Sequence, residues 1–368
     1  MSRPSPLRSI RVRRVKNAFL LILSVSLAGS LAFTQDASVS GANMAELRKK
    51  ANEGSAEAQI ALARAYADGK GVLQSDELAV KWYQKAAEQD NADAEYHLGL
   101  MYRSGRGVEQ NKGEAVSWYR KAAKQRYGAA MFNLGTAYYN GDGVPIDVAM
   151  AYAWFLVAAD YGSKMAEDAI DHIRGDVNSP ENVVFERIGD MYEEGNELPQ
   201  SDSEAIRWYR KATAGGDVHL DMKLAGLLEK TGEPESYPEI FQLCKHAADG
   251  LYPPGTYCVA ALYRQGRGVP RDLPMSARWM IEAANMGHVD AMLELGEMYW
   301  NGMGVKRDKI SAYEYVMLAS TAKGLSEAGR QKELFEKEMT NKEITRGKQK
   351  AMEWVRDHHN TLVLRKSK

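Results

Sequence analysis

The sequence predicts an all-α solenoid of about seven stacked helix-turn-helix units. Three observations predict it. A Gly-x-Gly-Val stretch begins at Gly69, Gly105 and Gly141, 36 residues apart, and returns at Gly266 and Gly302 with the same step. Trp82, Trp118 and Trp154 keep that step, as do Tyr66, Tyr102 and Tyr138. Glycine is plentiful at 32 residues and proline scarce at 11, which favours helices broken by glycine turns over a strand-rich fold. A fixed period of this length marks a repeat array.

Residues 1–32 stand apart from the array. They carry six basic groups (Arg3, Arg8, Arg11, Arg13, Arg14 and Lys16) and no acid, and an apolar run follows from Ala18 to Phe33. Ser30-Leu31-Ala32 fits a small-x-small cleavage site, so a signal peptide cut after Ala32 is expected, with an uncleaved inner-membrane anchor as the alternative. Either way the body is exported, to the periplasm or outside the cell. The remaining body holds 42 basic and 49 acidic residues. Nothing in that balance points to nucleic acid. Residues 33–55 read as a linker and an N-terminal capping helix containing Glu46-Leu47-Arg48-Lys49.

Units one to three span residues 56–163. In the second, Ala94, Leu98 and Tyr102 lie on one helical face, with Gly99 beside it to admit a neighbouring helix. After the loop, Ala115, Trp118, Tyr119, Ala122 and Ala123 form a second apolar face. Gly105 suits a left-handed helix cap and Gly107 the next bend. The loop is not a dinucleotide fingerprint, because a helix precedes it and no acid-bearing strand follows. Residues 164–180 read as a degenerate connector. Units four to seven span 181–324, and the fifth lacks the double glycine. Residues 325–368 read as C-terminal capping helices and a basic tail.

The units, AEYHLGLMYRSGRGV followed by AVSWYRKAA, resemble the Sel-one-like repeat (SLR) family, relatives of the tetratricopeptide repeats. The likeness covers about 270 of 368 residues. It implies a right-handed α/α superhelix whose concave face serves as a non-catalytic scaffold for a protein or peptide partner. Envelope-assembly machinery, sensor ectodomains, peptidoglycan enzymes and host proteins are the partner classes it implies. Regular stacking with capped ends predicts a monomer, and no cofactor is expected.

By analogy with the tetratricopeptide groove, inner-face positions read Ile60, Arg64, Ala67 in unit one, Tyr96, Leu100, Arg103 in unit two, and Phe132, Thr136, Tyr139 in unit three. Unit four gives Glu186, Asp190 and Glu193, unit six Tyr257, Ala261 and Arg264, and unit seven Leu293, Glu297 and Trp300. The partner-binding candidates are Tyr96, Leu100, Arg103, Phe132, Tyr139, Tyr257, Arg264 and Trp300, because interface hot spots favour aromatic rings and arginine.

The two cysteines, Cys244 and Cys258, each lie seven residues from a turn near Leu251, at one height on adjacent antiparallel helices. In an oxidising compartment a disulfide is natural, with separate free thiols as the alternative. Seven scattered histidines form no metal-binding spacing. Some exported relatives are described as β-lactam-binding or β-lactamase-like, which makes a hydrolase the rival reading. Its three motifs have loose counterparts in Ser320-Thr321-Ala322-Lys323, Ser201-Asp202-Ser203 and Lys230-Thr231-Gly232, but in reversed order and without the asparagine.

Overall fold

The structure, a computed structural model, describes residues 41–321 and 326–365. The expected signal segment and most of its linker lie outside the described residues. Eighteen α-helices and no strand occur among the described residues. Helix α1 (Gly41–Asn52) precedes the array. Unit one is α2 (Ala56–Asp68) and α3 (Asp76–Ala87), unit two α4 (Ala92–Ser104) and α5 (Lys112–Lys124), and unit three α6 (Gly128–Asn140) and α7 (Val148–Asp160). The connector forms a short helix, α8 (Lys164–Ile173), and a 3-10 turn (Arg174–Asp176).

Unit four is α9 (Glu181–Glu194) and α10 (Asp202–Thr213), and unit five α11 (Val218–Thr231) and α12 (Tyr237–Asp249). Unit six is α13 (Pro253–Gln265) and α14 (Leu273–Asn285), and unit seven α15 (Val289–Asn301) and α16 (Lys309–Ser320). Helices α17 (Ser326–Glu338) and α18 (Asn341–Arg365) pack on α16.

Each hairpin is set by caps at both ends. Ser75, Asn111 and Asp147 accept backbone N–H groups at the starts of α3, α5 and α7. The repeated tyrosine also holds the loop, for the carbonyls of Tyr66, Tyr102 and Tyr138 accept the N–H of those same cap residues at 2.9–3.0 Å. Gly105 caps α4 with φ +71° and donates to Met101 O at 2.8 Å.

Gly107 does more than bend the chain. A Cβ there would lie 2.3 Å from Asp76 O, at the start of unit one's second helix, so the glycine lets consecutive units touch through backbone. Gly99 admits a neighbour of another kind: a Cβ would lie 2.4 Å from the Tyr119 ring of its own hairpin.

Apolar faces of successive hairpins merge into cores shared between units, the largest running from Ala115 to Leu262, in which Leu134, Trp154, Tyr152 and Ile188 are essentially inaccessible. No single hairpin could bury its face alone. Cys244 and Cys258 form a disulfide between α12 and α13, with Cα atoms 5.8 Å apart. Closing a loop of this length stabilises by about 3 kcal/mol in the chain-entropy account. The bond braces unit five, whose loop has a single capping glycine, Gly232, followed by a 3-10 turn.

Candidate partner-binding surface

The first helix of each unit carries the inner-face positions, and their side chains meet three different fates. Ile60 and Thr136 are buried, each 7% exposed, and so are withdrawn from any groove. Others are engaged by the chain itself. Trp300 stacks on Phe335 of α17, ring centroids 3.9 Å apart. Tyr139 donates to Asp176 of the connector at 3.1 Å. Tyr257 donates to Glu294 at 2.7 Å and stacks on His288, and Arg264 pairs with Glu294 at 3.0 Å.

The acidic row of unit four is compensated as well. Asp190 and Glu193 accept from the Tyr209 hydroxyl at 2.7 and 2.5 Å, and Lys223 pairs with Asp190. Burial and these two carboxylates push the Tyr209 phenol far above its ordinary range.

Tyr96, Leu100 and Arg103 on α4 and Phe132 on α6 remain half-buried. The Tyr96 ring leans on Tyr127 and Tyr119 at 5.1 and 6.1 Å, and Phe132 leans on Phe155 at 5.3 Å. Arg103 shares a small cleft with Tyr119, Asn133 and Thr136. Helical spacing places Tyr119 on the apolar face and gives no sign of Asn133. Their role at this cleft comes from the junction of two units. The signal in the sequence was an asparagine at the register where unit seven has Glu294.

The hydrolase-like motifs do not converge. Ser201 caps α10, Lys230 pairs with Asp202 at 3.0 Å, and the Ser320 hydroxyl donates to Met317 O at the end of α16. Ala322 and Lys323 lie outside the described residues. No group of His, Cys, Asp or Glu able to hold a metal occurs among the described residues. Nor, among them, is any helix long and apolar enough to cross a membrane.

A stack of 36-residue helical hairpins with these caps defines an α/α repeat scaffold. The Sel1 repeat model matches residues 56–91, 92–127, 128–163, 186–217, 256–288 and 289–320, more than half of the sequence. The chain belongs to the Sel1 repeat family. Unit five, with its altered loop, falls between the matched segments.

Among solved structures it is similar to a protective antigen present in uropathogenic Escherichia coli strains and displaying an SLR fold. That match has 26% identity and a TM-score of 0.45, and covers 86% of this chain and 72% of the other. It is also similar to a Sel1 repeat protein from Oxalobacter formigenes, at 26% identity and a TM-score of 0.36, with 82% of each chain covered. No curated protein matches it in sequence.

Proposed function

We propose that this chain is an exported, non-catalytic scaffold that holds a protein or peptide partner on the first-helix face of units two and three. Sel1 repeat solenoids commonly serve as protein-interaction scaffolds, which supplies the general role. The observation that carries the particular surface is a contrast. Tyr139, Tyr257 and Arg264 commit their polar groups within the chain and Phe335 stacks on Trp300, whereas the Arg103 guanidinium has no hydrogen-bond or ion-pair partner among the described residues and stands beside the half-buried Tyr96, Leu100 and Phe132. Rigid rings around an arginine suit a protein hot spot. The disulfide supports an oxidising, exported setting, periplasmic or secreted. Capped ends support a monomer.

The test is an in-cell crosslinking pull-down from the envelope, comparing wild type with Tyr96→Ala/Arg103→Glu/Phe132→Ala. A partner captured by wild type and lost by the folded variant is the expected result. Equal capture by both would sink the assignment.

A further inference from the structure

Charged groups on the first helices neutralise one another from unit to unit. Arg64 of unit one binds Asp93 of unit two at 2.6 Å and reaches His97 at 3.5 Å. Lys223 of unit five pairs with Asp190 of unit four. Arg264 of unit six pairs with Glu294 of unit seven. His97, Lys223 and Glu294 share one register, six residues after their helix caps Asn91, Asp217 and His288.

Two junctions depart from this pattern: in unit six Cys258 holds the register and is tied up in the disulfide, and the other is the junction of units two and three. Asn133 stands at that register, six residues after Tyr127. Arg103 precedes it by 30 residues and Tyr96 by 37, the spacings that join Arg264 and Tyr257 to Glu294. An amide therefore stands where the junction of units six and seven has a carboxylate. Arg103 accepts from Gln110 at its carbonyl, but its guanidinium has no hydrogen-bond or ion-pair partner among the described residues.

Two more donors are stranded beside it. The Tyr119 hydroxyl and the Asn133 Nδ2 lie against each other but make no hydrogen bond of good geometry, to each other or to another described group, although these residues are only 1% and 8% exposed. Buried donors left unpaired are costly, and each calls for an acceptor. Unit six has Met280 at the position of Tyr119, so this hydroxyl has no counterpart there. Burial pushes the Tyr96 and Tyr119 phenols up, while the Arg103 charge and the Asn133 side chain beside both pull the other way.

The acid lining the cleft, Asp142, is held by Lys112 at 2.6 Å. The space between the donors admits about one water-sized group. The other buried side-chain atoms without a hydrogen-bond partner among the described residues differ in kind. They are indole N–H groups of Trp118, Trp154 and Trp208 on second helices, and an oxygen of Glu294, which is ion-paired.

We infer that this cleft is a carboxylate subsite, in which the Arg103 guanidinium, the Tyr119 hydroxyl and the Asn133 amide receive an oxygen of a partner peptide's carboxylate. Glu294 fills the equivalent place in cis between units six and seven. The inference rests on reading this face as the partner surface. A planar carboxylate enters edge-on, one oxygen among the buried donors and the other toward the mouth. Charge-assisted hydrogen bonds of this type are stronger than neutral ones. The carboxylate comes from a peptide's C-terminus or from an acidic side chain.

The probe is acetate, titrated into the purified chain with its disulfide intact, against chloride at matched ionic strength. The readout is the side-chain nitrogen resonances of Arg103 Nε and Asn133 Nδ2. Both are expected to shift saturably with acetate and not with chloride. Arg103→Met should weaken binding about tenfold or more, and Tyr119→Phe should weaken it severalfold. Asn133→Glu installs the acid of units six and seven, and should abolish binding while keeping helix content and melting. No saturable shift, or the same shift with chloride or in Asn133→Glu, would mean a water-filled cleft only and would overturn the inference.

N-acetylalanine and N-acetylglutamate α-amide then separate the two sources. Tighter binding of either supports the subsite and names the donor. The pull-down keeps the two readings apart. Acetate binding with equal partner capture by wild type and triple variant would keep the subsite and sink the partner surface. Partner lost by the triple variant but retained by Asn133→Glu, without acetate binding, would do the reverse.

Discussion

Glu95 is the most consequential titratable side chain inside the array. It is 2% exposed on α4 and accepts from Gln125 Nε2 at 2.8 Å. Burial pushes its carboxyl up to about 7, and the Gln125 hydrogen bond and the Lys121 charge offset this only in part. The sign follows from which state holds the proton. The folded value lies above the unfolded one, so the folded chain binds more protons between them. This group's stability is present below about pH 4.5 and is lost as pH rises through about 7, a change of at most about 3 kcal/mol once solvent screening is allowed for.

Unit one shows that an amide is accepted at this site: Gln59 is the counterpart of Glu95, and accepts from Gln89 at 2.8 Å. Glu95→Gln is therefore expected to raise the melting temperature at pH 8 and leave it nearly unchanged at pH 5. A variant that melts no higher than wild type at pH 8 would show that the buried carboxylate is not penalised.

Between elements, the second glycine of the Gly-x-Gly loops lets consecutive units touch through backbone, as at Gly107, Gly143, Gly268 and Gly304. The sequence marked it as a bend, and its positive φ agrees. What could not be read along one unit is the neighbour it meets, because that neighbour belongs to the unit before. At Gly143, φ is +78° and a Cβ would lie 2.3 Å from Lys112 O. Gly162 has the same φ of +78° with open space around it. Gly162→Ala therefore meets the left-handed penalty alone, about 1 kcal/mol. Gly143→Ala meets that and a backbone clash, and should cost about 2 kcal/mol more. Chemical denaturation of the two variants measures the difference. Equal losses would mean that the close approach between units contributes little.

Across the whole molecule, the architecture was legible because the period repeats. Gly69, Gly105 and Gly141 with their tryptophans fix helix, loop and helix before any coordinate is seen. The pairing of Cys244 with Cys258 was legible because both are equidistant from one turn. The candidate surface was legible only in part, since analogy names positions but not what covers them. Phe335 lies 35 residues beyond Trp300, outside the repeats, and no periodicity announces that it stacks there. Tyr139 likewise meets Asp176 in the irregular connector. The unpaired Arg103 guanidinium depends on Asn133 in the next unit, where unit seven has Glu294, and so is invisible within one repeat.

The central claim is that a partner sits on the first-helix face of units two and three. The most direct measurement is site-specific photocrosslinking in cells. One photoreactive residue replaces half-buried Leu100 on α4, and another replaces Leu78, which is 39% exposed on the second helix α3. One discrete crosslinked protein is expected at position 100 and none at position 78. Arg103→Glu is expected to remove the band. Crosslinking at position 78 alone, or a band at position 100 that survives Arg103→Glu unchanged, would contradict it.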